Sequence, residues 1–245
     1  MNKIIILLIT LVSVMVGCTL PNTGEGYNAD GTYTGYGEIE SKSYSFNDFS
    51  SLIISNDMDV VLKQGEKTSV EVITNSDVFE KLSIQLGDGV FKAGNNEDVV
   101  LSNTQVRMRI TIPKLELLEL ENDVVLSFDG EWISDQTLNI VLNSDTQLSG
   151  RILADHINVN LYSDSVLQLS GSANTLNLNG ASDSKMKLAD LHAQSAKVKL
   201  ESDALCDINV RGDIEFSAEN SPVLNVYSGN VTTLNIDDDV TINMK

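Results

Sequence analysis

Residues 142–150 read LNSDTQLSG and residues 161–171 read LYSDSVLQLSG. Each stretch runs Leu, a polar residue, Ser-Asp, then Leu and Ser-Gly, and the two aspartates, Asp145 and Asp164, stand 19 residues apart. The phrase recurs along the chain. LENDVVLSF carries Asn122-Asp123, NGASDSKMKL carries Ser182-Asp183, and LESDALCDINV carries Ser202-Asp203. AENSPVLNV then places Asn220-Ser221, and IDDDVTINM places Asp238-Asp239, in the same position. From Asp123 through Asp145, Asp164, Asp183, Asp203 and Ser221 to Asp239 the steps are 22, 19, 19, 20, 18 and 18 residues. ISNDMDVVL, with Asn56-Asp57, has the same look near the start.

A period of this length decides the fold before any single motif does. A unit of about 19 residues holds two or three short strands and tight turns. Alone it cannot bury its apolar side, but stacked on a copy of itself it can. Each unit becomes one rung, paired in parallel to its neighbours at about 4.8 Å. The inward columns are expected to be Leu138, Ile140, Leu142; Ile157, Val159, Leu161; Leu176, Leu178; Val198, Leu200; and Leu234, Ile236. A second strand in each unit adds Leu148; Leu167, Leu169; Met186, Leu188; Ile208, Val210; Leu224, Val226; and Ile242, Met244. The expected fold is all-β, a single-stranded parallel β-helix (solenoid) of about 19-residue rungs. A propeller blade needs about twice the length, and a leucine-rich repeat needs a helical half that is missing.

The Ser-Asp and Asn-Asp pairs are then the corners. Asn and Asp tolerate a left-handed backbone and bond neighbouring amides, so they suit a sharp bend without Gly. Ser221-Pro222 fits a corner and would not fit a central strand. Before the periodic region, SVEVIT, LSIQLGDGVFKAG and QVRMRITIP alternate apolar and polar residues, as strands do. Gly87-Asp88-Gly89 is a hairpin signal, and SDVFEKL at 76–82 could form one helical turn. Whether residues 37–114 continue the coil or form a separate β cap is open at this level.

The chain of 245 residues carries 35 Asp plus Glu against 16 Lys plus Arg, a net charge of −19. Such a surface repels phosphate backbones, so no nucleic-acid partner is expected. It suits cations or a basic partner. MNKIIILLITLVSVMVGC opens with Lys3, an apolar run from Ile4 to Val16, then Gly17 and Cys18. The run is too short for a lasting membrane span and has the layout of a secretory signal. Met-Val-Gly-Cys resembles a bacterial lipobox, with Met15 in place of the usual Leu. The resemblance implies a signal peptide at 1–17, cleavage before Cys18, and membrane anchoring through lipid on Cys18. Thr19 is not the Asp that often retains lipoproteins in an inner membrane, which favours an outer-membrane or surface location. With Cys18 lipidated, Cys206 has no disulfide partner and reads as a small buried apolar residue. Residues 18–36 read as lipidated Cys and flexible tether, with Tyr27, Tyr33 and Tyr36 as tether residues or the last of them packed on the domain. Residues 37–245 read as the folded domain.

The stretch GYGEIESKSYSFNDFSSLIISNDMDVVLKQGEKTSVEV at 35–72 resembles the opening of the bacterial auto-transporter adhesin, head GIN domain family. It has Gly-x-Gly, an alternating strand, the Phe49 and Leu52 anchor, Gln64-Gly65, and Val70-Glu71-Val72. VRMRITIPKLELLELENDVV at 106–125 is similar to that family's strand, Pro-x-Leu, strand and small polar turn. The resemblance covers nearly all of 35–245. It implies a right-handed β-helix on a cell-envelope protein. It implies no established activity. One departure matters: Ser-Asp and Asn-Asp stand where that family often has Gly-Ser-Gly-like corners, so the column here is far more acidic.

The residues show no catalytic constellation. His156 and His192 form no paired motif, and no phosphate loop, nucleophile elbow or zinc-type Cys pair occurs. A polysaccharide-cutting β-helix enzyme would need clustered carboxylates on long loops, and the rungs here are short and even. The candidate contact surface is the column Asp123, Asp145, Asp164, Asp183, Asp203 and Asp239, with Asn143, Ser144, Ser163, Asn179, Ser182 and Ser202 beside it. Like charges about 5 Å apart repel unless screened or bridged. A hard cation such as Ca²⁺ would relieve this, but the Gly-Gly-x-Gly-x-Asp phrase of Ca²⁺-binding coils is absent. No metal site is assigned, and a solvated column is the simpler reading. The expectation is a display or binding module for an unidentified surface glycan or protein, without bond-making chemistry. A structural role through end-to-end stacking and a carbohydrate-active enzyme are the alternatives.

Overall fold

The computed structural model describes residues 11–12, 26–28 and 30–245. Apart from Leu11 and Val12, the expected signal peptide at 1–17 and Cys18 fall outside the described residues. The chain begins with short strands: β1 (Leu11–Val12), β2 (Ile39–Tyr44), β3 (Ser51–Ser55), β4 (Met58–Gln64), β5 (Ser69–Asn75), β6 (Leu82–Gly87), β7 (Val90–Asn95), β8 (Val106–Ile112) and β9 (Leu117–Glu121). Beyond them the strands lengthen to whole rungs: β10 (Val125–Asn143), β11 (Gln147–Leu161), β12 (Val166–Gly180), β13 (Lys185–Glu201), β14 (Leu205–Glu219) and β15 (Val223–Ile236), closed by the short β16 (Thr241–Met244). Strands this long bend within each rung, and shifts of register such as that between Ser134 and Thr137 mark the bends.

Strands β10 to β16 pair in order and in parallel, giving a β-solenoid of about six turns with essentially no helix. The period-2 alternation places one side of every strand inward, and parallel pairing held in register between the bends stacks those sides into columns. One column is Leu126, Leu148, Leu167, Met186, Cys206, Leu224 and Ile242. Another is Leu118, Ile140, Val159, Leu178, Val198 and Phe216, every member at 1% exposure or less. Burial of each such side chain stabilises the coil by roughly 1.5–3 kcal/mol. Cys206 occupies a leucine's place, and burial pushes its thiol pKa up.

Three expected core positions fail. Leu234 is 55% exposed and Ile236 44% exposed. β16 pairs only with Val223–Val226, so among the described residues no strand beyond β15 pairs with 227–236. Met244 is exposed as well, and among the described residues β16 pairs only with β15.

Residues 37–114 both continue the coil and cap it. The turn at Asn56-Asp57 joins β3 to β4 as a rung: β3 pairs in parallel with β9, and β4 with β10. β7 and β8 lie in parallel on the other side of β3 and β4. There the direction changes. β6 runs antiparallel to β7 through a two-residue hairpin, Asp88 (φ 52°) and Gly89 (φ 78°). β5 runs antiparallel to β8, β2 to β5, and β1 to β2. The expected helical turn is a single 3₁₀ turn, Phe79–Lys81.

The folded part starts before residue 37. Tyr33, the middle tyrosine of the expected tether, is 3% exposed, whereas Tyr36 lies open. The Tyr33 hydroxyl donates to Asp77 Oδ2 at 2.7 Å, and its backbone pairs with Val100 and Ser102. Gly37 N–H donates to the same carboxylate at 2.6 Å, and Lys81 Nζ sits 4.8 Å from the Tyr33 ring centre. Buried aromatic area and a satisfied hydroxyl outweigh the low periodicity of this segment.

Candidate functional site

The Ser-Asp and Asn-Asp pairs are the corners of the coil, and both residues of each pair are left-handed. Ser144 and Asp145 have φ of 59° and 62°, Ser163 and Asp164 52° and 62°, Ser182 and Asp183 56° and 61°, and Ser202 and Asp203 51° and 61°. Asn56-Asp57, Asn122-Asp123 and Asn220-Ser221 share this geometry. Two successive left-handed residues are costly for most side chains, and short polar ones bear it best.

The corner amides are satisfied by the next rung's backbone. The N–H of Asp123 donates to the Ser144 carbonyl at 3.0 Å, that of Asp145 to Ser163 at 2.9 Å, that of Asp164 to Ser182 at 3.0 Å, that of Asp183 to Ser202 at 3.0 Å and that of Asp203 to Asn220 at 3.0 Å. Local capping of these amides by the carboxylates is not what the corner uses. The carboxylates of Asp123, Asp145, Asp164, Asp183 and Asp203 are exposed and stand in single file, one per rung.

Asp239 continues the file but not the turn. Neither Asp238 nor Asp239 has positive φ. Ser221 Oγ donates to Asp239 Oδ2 at 2.8 Å and holds that carboxyl below its usual range. At the other end, partial burial and then the charge of Asp123 raise the Asp57 carboxyl. Among the described residues no three His, Cys, Asp or Glu side chains converge as a metal cage would require.

The residue after each corner Asp points inward. Thr146, Ser165 and Ser184 are buried there, in line with Val124 and Ala204. Thr146 Oγ1 donates to Ser165 Oγ at 3.2 Å, while Ser184 Oγ has no partner among the described residues. Outside the corner, amide ladders run along the coil. Asn158 Nδ2 donates to Asn139 Oδ1 at 2.9 Å and Asn177 Nδ2 to Asn158 Oδ1 at 2.8 Å. Asn179, expected beside the corner, joins Asn160 at 2.9 Å. His156 and His192 are both exposed, and His156 Nδ1 lies 2.5 Å from Thr175 Oγ1.

A second feature bears on the carbohydrate-active alternative, which would need a lateral groove lined with carboxylates. A lateral groove runs along a different corner of the coil, in two joined hollows of about 370 and 430 Å³ that share Ile133, Ser134 and Asp135. Its origin is the pairing register. Ser134, Ala154 and Ala173 stack as a floor of small side chains. On one side stand Ile133, Leu153 and Ser172, and on the other Asp135, Asp155, Asn174 and Gln194. Asp135 and Gln136 together oppose Asp155, a bulge that widens the groove at this point. Gln64 fixes the rim, donating to the Ile133 carbonyl and accepting from the Ile133 amide, both at 2.9 Å. The signal was present as SDQ, ADH and ANT, starting at residues 134, 154 and 173, but each triplet reads as ordinary polar surface until the register joins them.

The family model for the putative auto-transporter adhesin, head GIN domain matches residues 48–230. The chain belongs to that family. No curated protein matches it in sequence. Among solved structures, one of a putative adhesin from Bacteroides fragilis superposes with a TM-score of 0.77 at 12% identity, covering 86% of this chain and 98% of that one. A putative lipid binding protein from Parabacteroides distasonis superposes with a TM-score of 0.69 at 14% identity, covering 87% and 100%. A putative adhesin from the same organism gives 0.69 at 11% identity, covering 86% and 99%. At these identities the likeness is one of fold. The family and these neighbours are named as adhesins or binding proteins, not as enzymes.

Proposed function

We propose that this head GIN family chain is a cell-envelope lipoprotein, cleaved after residue 17 and lipidated at Cys18, whose β-solenoid is a non-enzymatic display and binding module of adhesin type. One observation carries the reading: the corner column holds an exposed carboxylate on each of five successive rungs, Asp123 to Asp203, on a backbone fixed by inter-rung hydrogen bonds. A rigid file of like groups suits recognition of a repetitive or extended surface ligand, because little side-chain and loop order is lost on contact. Divalent cations would bind such a file weakly, by bridging neighbouring carboxylates. An outer-membrane or surface location follows from the Thr19 argument.

Two measurements test this. Metabolic labelling with a palmitate analogue should tag the full chain and not its Cys18→Ser variant; equal labelling would remove the anchor. The purified protein should then be screened against surface glycans and matrix proteins, with Ca²⁺ and with chelator. Saturable binding that weakens when Asp145, Asp164 and Asp183 are changed together to Asn supports the corner as the contact surface. Silence across the screen turns the reading toward a structural role. One observation favours that second reading: Leu234, Ile236 and Met244 are exposed, and a second copy of the chain could cover them. Concentration-dependent filaments seen by light scattering would establish it.

A further inference from the structure

We infer that the lateral groove, a face separate from the acidic corner, holds a neutral linear glycan lying along the solenoid axis. The inference rests on the binding-module reading above and names its ligand class and a different face.

Shape comes first. The two hollows share residues and open sideways, so the space is a trough crossing successive rungs and not a closed pocket. A trough of this kind takes a chain. The rungs repeat at about 4.8 Å, close to the length of one sugar unit in an extended glycan, so equivalent contacts can recur from rung to rung.

Chemistry narrows the choice. The polar wall offers both acceptors and donors: the carboxylates of Asp135 and Asp155, then the amides of Asn174 and Gln194. Sugar hydroxyls both donate and accept, so they match such a wall. Asn174 Nδ2 donates to Asp155 Oδ1 at 2.6 Å, which orients that carboxylate and leaves Oδ2 for a ligand hydroxyl. Opposite stands an apolar wall, with Ile133 58% exposed and Leu153 half-buried. A pyranose ring offers the same contrast, a polar rim and apolar C–H faces.

Charge and hydrogen bonding exclude the competitors. An anionic polysaccharide would meet Asp135 and Asp155 on a chain of net charge −19. A peptide added as an extra strand needs a free backbone edge. Here β10 to β13 are already paired to their neighbours through the groove residues, Ala154 with Ala173 and Ser172 with His192 among them.

The test is calorimetric titration of the full chain, purified in detergent, with cellohexaose, mannohexaose, oligogalacturonate and a basic peptide. Ser172 is exposed, so Ser172→Trp fills the groove without touching the core. Lys187→Trp places the same ring on another exposed face. One of the two neutral oligosaccharides should bind, about tenfold or more weaker in Ser172→Trp and in Asn174→Ala, and unchanged in Lys187→Trp. Equal thermal midpoints for the variants would show that the fold is intact. Neutral binding that survives both groove variants but is lost when Asp145, Asp164 and Asp183 become Asn overturns the groove and leaves the module reading standing. Binding of oligogalacturonate or the peptide alone, lost in Ser172→Trp, overturns the ligand class. Failure of both neutral oligosaccharides at millimolar concentration overturns the inference, while the wider screen judges the module reading separately.

Discussion

The backbone amide of Asp145 donates to the carbonyl of Ser163 at 2.9 Å, joining two residues 18 apart in sequence at corners adjacent in space. The donor belongs to a left-handed residue (φ 62°), and so does the acceptor (φ 52°). This pair explains the repeated Ser-Asp phrase: the corner needs residues that accept this backbone shape, and the shape aims the amide at the next rung.

The corner is therefore sensitive to backbone preference more than to charge. Asp164→Val should lower stability by about 1–2 kcal/mol, because a β-branched residue is strained at positive φ. Asp164→Asn and Asp164→Gly should stay within about 0.5–1 kcal/mol of the parent. Urea midpoints read this directly. A valine variant as stable as the asparagine one would show that the left-handed geometry is not what selects Asp here.

Burial differs sharply between equivalent-looking leucines. Leu178→Ala should cost about 2–5 kcal/mol, since Leu178 is 1% exposed between Val159 and Val198. Leu234→Ala should change stability by no more than about 0.5 kcal/mol, as an exposed residue of the terminal rung. Equal losses in chemical denaturation would mean that Leu234 is covered in solution.

Stability should also fall with acid through the N-terminal clasp. Burial alone would raise the Asp77 carboxyl, but bonds from the Tyr33 hydroxyl and the Gly37 and Tyr36 amides outweigh it and leave it lowered. A lowered folded value means that the unfolded chain binds its proton first as pH falls. The contribution is complete above the ordinary carboxylate range, about pH 4, and is lost as pH drops below it. Burial and the neighbouring Asp77 push the Tyr33 hydroxyl up, so it stays a donor across this window. Thermal midpoints from pH 7 to pH 3 should fall less steeply in Asp77→Asn than in the parent. Parallel slopes would assign the acid sensitivity elsewhere.

Cys206 should be silent to thiol reagents. It is fully buried, and that burial pushes its pKa up, so both access and thiolate are lacking. A chromogenic disulfide reagent should react with Cys206 only in denaturant. Cys206→Leu should keep the fold, at a cost of about 1–3 kcal/mol, because the larger side chain must be fitted between Met186 and Leu224, its neighbours in register. Rapid reaction under native conditions would place the thiol outside the core.

The period of the Ser-Asp phrase and the alternating leucines determined the coil, its parallel rungs, its corners and most of its core. They did so because a rung can bury its apolar side only against a copy of itself, and because consecutive left-handed positions admit few side chains. What lay beyond reach was whatever depends on neighbours that are distant in sequence. The burial of Tyr33 needs Asp77 and Val100 beside it, and the exposure of Leu234 needs β16 to stop short. The groove is the clearest case. Asp135, Asp155, Asn174 and Gln194 are unremarkable in their own segments. They become one wall only when the register of four rungs, and a one-residue bulge in β10, brings them into line over a floor of small side chains. Local sequence sets the conformation of a corner, but concavity belongs to the stack.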